Sequence, residues 1–343
     1  MSRISAKAHT HMHDTHGRPD PVNGCSVSAP ARLHLGFLDL NGGLGRRYGS
    51  IGLALDSPAT DVRVTRAASN TATGPERERV LTVLSRCQDA LSLPGAYSVE
   101  VVHAIPAHAG LGSGTQLALA IGLALARLEG LSFSPQQIGD LAGRGARSAI
   151  GMAAFENGGF IVDGGRGTID QPPPVLMQIP FPEAWRCLLV LDPRDQGAHG
   201  DRETKAFATL PAFPEALADR LCRLVLMQLV PGLIEGDIAA FGSALTTIQG
   251  IVGGHFAAAQ GGSPWTSPAV GRLLKHAAEL GATGIGQTSW GPSGFGFVDS
   301  QDVADRLYHS LVEDAKAMGL DIAIVRGRNA GATVTTDDAP QRP

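Results

Sequence analysis

The stretch Pro106-Ala-His-Ala-Gly-Leu-Gly-Ser-Gly-Thr-Gln-Leu-Ala-Leu-Ala120 decides how this chain is read. Ahead of it lies a β-rich run, Tyr97 to Ile105, and behind it an Ala/Leu-dense segment with the pattern of a buried helix. Between a strand and a helix, Gly110, Gly112 and Gly114 let the backbone take positive φ and approach a ligand closely. The first N–H groups of the helix, at the positive end of its dipole, then face whatever sits in the turn. Ser113 and Thr115 add hydroxyls. Phosphate or pyrophosphate suits this arrangement best, with Gly110, Leu111, Gly112, Ser113, Gly114 and Thr115 as its cradle. The plainer alternative is a glycine-rich connection with no ligand. No Gly-Lys-Ser/Thr follows, and the spacing is not the Gly-x-Gly-x-x-Gly of dinucleotide folds.

At 343 residues the chain is long enough for two domains. Hydrophobic residues make up 43% and charged residues 17%, so a sizeable core is available. A net charge of −4 gives no reason to expect nucleic acid or an anionic membrane as partner, so any anion site must be local. Cys25, Cys87, Cys187 and Cys222 are far apart and form no CxxC pair, which speaks for reduced thiols in a cytoplasmic protein. No apolar run approaches a membrane span, and no apolar signal core opens the chain. Residues 1–24 are polar, with His9, His11, His13 and His16 closely spaced, and read as a disordered arm; weak metal binding is the alternative.

The second informative stretch is Arg32-Leu-His-Leu-Gly-Phe-Leu-Asp-Leu-Asn-Gly-Gly-Leu-Gly-Arg46. Its first half alternates, with Arg32, His34 and Gly36 on one face and Leu33, Leu35 and Phe37 on the other. A strand that buries one face while aligning Arg and His on the other makes an anion-facing wall; an ordinary half-exposed strand is the alternative. Further on, strands are expected at Gly49–Leu55 and Ala59–Arg66, and a helix at Glu76–Leu91. Another helix should start at Ser134-Pro135 and run to about Arg147, followed by a glycine-flanked strand from Ala154 to Asp163. A proline linker (Pro172–Pro174) precedes the strand Trp185–Leu191. Pro193 to Lys205, with His199 and Glu203, reads as a polar loop. Helices at about 214–230, 235–250 and 267–280, a third glycine cluster at 281–298, a helix at Val303–Met318 and a strand at Asp321–Arg326 complete the chain. The architecture is therefore α+β in two domains, 25–184 and 185–332, with a flexible tail at 333–343.

Three elements, in this order, resemble the GHMP superfamily of galactokinase, homoserine kinase, mevalonate kinase and phosphomevalonate kinase. They are Pro30-Ala-Arg32, the Pro-x-x-x-Gly-Leu-Gly-Ser run from Pro106 to Ser113, and the glycine-rich segment Gly284–Gly296. The resemblance implies a ribosomal-protein-S5-like N-terminal domain and a ferredoxin-like C-terminal domain, with the active site between them. Within that superfamily, Arg32 to Arg46 and Gly286-Gln-Thr-Ser-Trp-Gly-Pro292 are similar to the β-ribofuranosylaminobenzene 5′-phosphate synthase family. What that implies is decarboxylative transfer of phosphoribosyl from 5-phosphoribosyl 1-diphosphate to 4-aminobenzoate or 4-hydroxybenzoate. CO2 and pyrophosphate leave, in tetrahydromethanopterin-type cofactor synthesis.

On that resemblance Arg32, His34, Asp39 and Arg46 are the candidate catalytic residues. Arg32 and Arg46 would grip phosphate or carboxylate with their forks. His34 would donate to benzoate or phosphate, or be structural; Asp39 would hold ribose hydroxyls, Mg2+ or a ribosyl cation. Gln287, Ser289 and Trp290 would close the site from the second domain, Trp290 stacking on the aromatic acceptor. Mg2+ is expected with the pyrophosphate, no ATP, no nucleic acid, no membrane, and a homodimer. Asp163, in its glycine context, reads as structural. An ATP-dependent small-molecule kinase and a non-catalytic ligand-binding relative are the competing readings. Against the first, Arg147-Ser-Ala-Ile-Gly-Met-Ala-Ala154 carries no acid where many such kinases place a base. Against the second, the polar residues of all the motifs are intact.

Overall fold

The computed structural model describes residues 22–337 except 144, 146, 169, 170, 198 and 199. The expected arm lies outside the described residues up to position 21; its last residue, Gly24, opens the first strand.

Two long strands, β1 (Gly24–Asp39) and β2 (Tyr48–Ala67), form the antiparallel spine of the first domain. Cys25, Val27 and Ala29 alternate inward on β1 and are fully buried, as a period-two pattern requires. The two strands expected at 49–55 and 59–66 are one continuous β2, which changes partner along its length: β5 (Phe160–Asp163) pairs with Ile51–Leu53, and β4 (Ala96–His103) with Asp61–Ala67. Short β3 (Thr71–Thr73) and α1 (Arg77–Leu91) lie between β2 and β4. The organising helix, α2 (Ser113–Leu128), is apolar nearly all round and correspondingly buried nearly all round. Ser134 caps α3 (Pro135–Leu141) through a reciprocal capping box with Gln137. That helix stops well before Arg147, because Gly143 and Gly145 take positive φ. A helix, α4 (Ile150–Glu156), then occupies ground assigned to strand, and β6 (Val175–Ile179) follows the proline linker.

The second domain opens with β7 (Arg186–Leu191). Helix α5 (Gly200–Thr209) replaces the polar loop expected there; the expected His199 lies outside the described residues. Then come α6 (Glu215–Leu224), α7 (Val230–Glu235) and α8 (Ile238–Phe256), followed by α9 (Pro268–Glu279), β8 (Thr283–Gln287), β9 (Gly294–Val298), α10 (Gln301–Met318) and β10 (Asp321–Val325). The sheet runs β10-β7-β9-β8, antiparallel throughout. This is the split βαβ order of a ferredoxin-like domain, as expected.

Residues 333–337 are not a frayed tail. They form β11 (Thr333–Asp337), antiparallel to β1 from Gly24↔Asp337 to Ser28↔Thr333. Three of its five residues are β-branched threonines, which suit a strand position whatever their polarity. The chain thus returns to the first domain after completing the second, and residues 338–343 lie outside the described residues. The largest core ignores the boundary near 185: Leu33, Leu35 and Phe160 of the first domain share it with Trp185, Phe241, Phe295 and Phe297. No helix of the described residues is long and apolar enough to cross a membrane. All four cysteines are free thiols.

Candidate active site

The glycine turn, the Arg32 strand and the late glycine cluster meet at one backbone oxygen. The carbonyl of Gly110 accepts from Arg32 Nη1 at 2.6 Å and from Thr288 Oγ1 at 2.9 Å. The same Thr288 hydroxyl oxygen accepts the backbone N–H of His34 at 2.9 Å. Arg32 N–H donates to Leu111 O at 3.1 Å. Gly110 (φ 78°) and Gly112 (φ 83°) hold the left-handed conformations this turn needs. A Cβ on Gly110 would lie 2.5 Å from Thr288 O, so the first half of the turn is sealed against the second domain. The open half begins at Gly112, which caps α2 and leaves Gly112, Gly114 and Thr115 partly exposed, while Leu111 and Ser113 are buried.

Positive charge gathers at that helix end. The Arg32 side chain packs against Gly112, and the Arg79 guanidinium of α1, paired with Glu76, lies 3.4 Å from Ser113 Oγ. An anion in the open turn would lie at the positive pole of α2 with Arg32 and Arg79 beside it. Arg147 contributes from the segment before α4: it pairs with Glu203 of α5 at 2.6 Å and lies 5.4 Å from the Phe207 ring. Sequence reasoning missed Arg79, Arg147, Glu203, Phe207 and Thr288. Of these, Thr288 and Arg147 lay inside quoted stretches and Glu203 in the expected polar loop, but none had been given a role there.

Burial lowers the Arg32 pKa to about 10, with Glu203 opposing the shift, so the guanidinium stays charged at neutral pH. Desolvation first, and Arg32 second, push His34 down to about 3. The ring is therefore neutral at pH 7 and meets an anion only through an N–H. Between pH 3 and 6.5 the unfolded chain binds a proton here that the folded chain refuses, so this contribution to stability is full above about 6.5 and is lost as pH falls toward 3. Melting His34→Asn beside the parent from pH 8 to 4 should show the parent's margin over the variant shrinking below pH 6.5. A margin independent of pH would mean that His34 is not held neutral by the fold.

Other expected residues are placed differently. Asp39 ends β1, roughly 20 Å along the strand from Arg32 in its middle, and Arg46 lies in the turn that follows before β2. Asp39 Oδ1 accepts the N–H groups of Asn41 and Gly42 at 2.6 and 2.9 Å, the work of a turn former. Arg46 spends Nε and Nη2 on the carbonyls of Gly164 and Gly165. Gln287 is wired into the second domain: its Oε1 accepts from Thr266 N–H, and its Nε2 donates to Gln260 Oε1. Gln287 and Ser289 both face the site, lining with His34, Phe37 and Gln260 a cavity of about 20 Å³, room for one water and no more. Trp290 is a core residue, 3% exposed and stacked on Phe256 at 4.4 Å, so it has no open face for an acceptor. The partly exposed rings are Tyr48 and Phe207, 5.5 Å apart, with Phe37 6.3 Å from each. Asp163 is structural as expected, accepting from Ser50, Ser148, Ala149 and Gly165 while fully buried. Among the described residues no group of three or more His, Cys, Asp or Glu side chains can hold a metal.

Comparison with known proteins follows the same lines. The GHMP kinase N-terminal domain family matches residues 78–159 and the GHMP kinase C-terminal family residues 229–317. The β-ribofuranosylphenol 5′-phosphate synthase of Methanothermobacter thermautotrophicus is 32% identical over 331 residues, 89% of this chain and 97% of its own. That of Archaeoglobus fulgidus is 31% identical, covering 90% and 98%. The homoserine kinase of Cytophaga hutchinsonii superposes with a TM-score of 0.64 over 97% of this chain and 100% of that one; at 18% identity this speaks for the fold alone.

Proposed function

Because this chain belongs to the family of the β-ribofuranosylphenol 5′-phosphate synthases, we propose that it joins 5-phosphoribosyl 1-diphosphate to a para-substituted benzoate with loss of CO2 and pyrophosphate. The relatives' name favours 4-hydroxybenzoate as acceptor, with 4-aminobenzoate as the alternative. The reaction belongs, on this reading, to tetrahydromethanopterin-type cofactor synthesis in the cytoplasm.

The bond between ribosyl C1 and the diphosphate oxygen breaks, its electron pair leaving with pyrophosphate. The ring carbon bearing the carboxylate supplies the pair that forms the new C–C bond. The ring–carboxylate bond then breaks, returns its electrons to the ring and releases CO2. No proton is taken from the ring, so the chemistry needs no strong base. What carries the proposal is the likeness to the β-ribofuranosylphenol 5′-phosphate synthases, 32% and 31% identical over 89% and 90% of this chain; the burial of His34 beside the glycine turn, which lowers its pKa to about 3, agrees with it. Arg32, Arg79 and the open turn from Gly112 to Thr115 receive the departing diphosphate, where fixed positive charge stabilises the leaving group. Mg2+ arrives as part of the donor, bound to its diphosphate. Tyr48 and Phe207, both partly exposed, offer the ring faces that the buried Trp290 cannot.

Carboxyl-labelled 4-hydroxybenzoate and 4-aminobenzoate, supplied separately and then in competition, test this. Label should be released as CO2 only with phosphoribosyl diphosphate present, and ATP should not replace it. ATP-dependent phosphorylation of a small alcohol without CO2 release would move the protein to the kinases.

A further inference from the structure

Glu203 and Phe207 stand one turn apart on α5, and both reach across to the first domain. Glu203 pairs with Arg147 at 2.6 Å, and the Arg147 guanidinium lies 5.4 Å from the Phe207 ring. The ion pair is partly open, with 40% of the Arg147 side chain and 25% of the Glu203 side chain exposed. The backbone that carries Arg147 is anchored, because the buried Asp163 accepts from Ser148 Oγ and Ala149 N–H, both at 2.9 Å. That segment also abuts the glycine turn. Gln116 Nε2 of α2 donates to Gly151 O at 2.8 Å, and a Cβ on Gly151 would lie 3.1 Å from Thr115 Cγ2. From the second domain, the charge of Glu203 reaches Arg32 and opposes the lowering of its pKa by burial. The pair therefore adjoins both the turn and the exposed rings.

The acceptor is a flat ring whose carboxylate sits on the carbon that must reach ribosyl C1. The ring pair Tyr48–Phe207 has a guanidinium on each flank: Arg47, 5.8 Å from Tyr48, and Arg147, 5.4 Å from Phe207. Arg147 is on the side of the glycine turn, where the diphosphate departs, whereas Arg47 lies in the turn between β1 and β2. A ring laid on Phe207 with its carboxylate toward Arg147 has only the distance from ring to guanidinium to cover. A fork that already holds one carboxylate can take a second, and the two like charges then repel across it. Departure of CO2 removes the acceptor's charge from beside Glu203, so the repulsion burdens the bound benzoate and is relieved on the way to product. We propose that the Arg147–Glu203 pair is the acceptor's carboxylate site, Arg147 binding the carboxylate and Glu203 favouring its loss as neutral CO2. This rests on the reaction proposed above. The electron pair of the ring–carboxylate bond returns to the ring, and neither side chain gains or loses a proton.

The test sets binding beside turnover. Calorimetry with 4-hydroxybenzoate, its neutral analogue 4-hydroxybenzamide, and pyrophosphate is run on the parent, Arg147→Gln, Glu203→Gln and Glu203→Asp, each melted in parallel and assayed for CO2 release. The two glutamine variants lie in different domains, so misfolding of one leaves the other. Arg147→Gln should weaken 4-hydroxybenzoate binding about ten- to hundredfold and leave the amide nearly unmoved. Glu203→Gln should split binding from turnover: the benzoate binds roughly three- to tenfold tighter while kcat falls about tenfold, the scale of one like charge held nearby. Glu203→Asp keeps the charge and should restore most of kcat. A pair that merely ties the domains together would weaken acid and amide alike, and that result overturns the proposal. So does a folded Glu203→Gln with parental kcat and parental benzoate affinity, or an Arg147→Gln that loses pyrophosphate and keeps benzoate. Each of these leaves the reaction standing if the parent releases CO2 with phosphoribosyl diphosphate. A parent that releases none from either benzoate overturns the reaction, and the part given to Glu203 falls with it.

Discussion

Arg32→Ala should lower kcat/KM about ten- to hundredfold, and Arg32→Lys should recover only part of the loss. The guanidinium is asked to do two things at once. Nη1 closes the Gly110 carbonyl at 2.6 Å, and the rest of the fork stands over Gly112 at the mouth of α2. A lysine ammonium keeps the charge as a single point, so it can meet either the carbonyl or the diphosphate, not both in the arginine's geometry. A charge-assisted contact of this kind is worth roughly 1.5–3 kcal/mol, which sets the expected factor. Each variant must be melted in parallel, because an unpaired Gly110 carbonyl costs stability on its own account. If Arg32→Ala melts normally and still releases CO2 at near-parental rate, Arg32 is scaffold and the diphosphate site lies elsewhere.

Gly110→Val should be worse, and for a different reason. Its new Cβ would stand 2.5 Å from Thr288 O and 3.2 Å from Gly291 O, both backbone atoms, and neither can swing aside. Overpacking of this kind costs about 1–3 kcal/mol, and a left-handed φ about 1–2 kcal/mol more. The melting temperature should fall by roughly 5–15 °C, and decarboxylating activity should disappear with the joint between turn and second domain. Gly112→Ala is the contrast. Its Cβ meets only the Arg32 side chain, at 3.2–3.4 Å, and a flexible side chain can give way. It should melt close to the parent, less the strain of its φ, while the KM for the donor rises. Equal melting temperatures for Gly110→Val and the parent would mean that the turn is not sealed against Thr288.

Much of this was legible in the residues. The turn between β4 and α2 declared itself because glycines at positive φ and a wholly apolar helix leave a local signal, and the Arg32 strand did so through its alternation. The elements that escaped are those whose reason lies elsewhere in the chain. Helix α5 reads as polar, yet Ala206 and Phe207, with Leu210 just beyond it, pack on the core that both domains share. Ala154 to Glu156 reads as strand until the helix beginning at Ile150 claims it. Trp290 looks like a ligand platform in a glycine-rich motif, and only Phe256, on a distant helix, shows that its face is taken. Asp39 and Arg46 share a motif with Arg32, yet the second half of β1 carries Asp39 away from it and Arg46 lies in the turn beyond, held by Gly164 and Gly165. Arg79 and Arg147 reach the site from segments with no local mark of function. Their charge matters only because of what the fold places beside it.

The pairing of β11 with β1 has a consequence in time. Gly24 finds its partner in Asp337, about 310 residues later. During synthesis, at roughly 5–20 residues per second, the opening strand therefore waits some tens of seconds with one edge unpaired. Its other edge is occupied as soon as β2 emerges, but the outer row at Gly24–Ser28 stays open until β11 is made. It follows that the order of birth and the order of closure are opposed here: β1 is made before the ferredoxin-like domain, and the strand that seals its outer edge comes after that whole domain has been built.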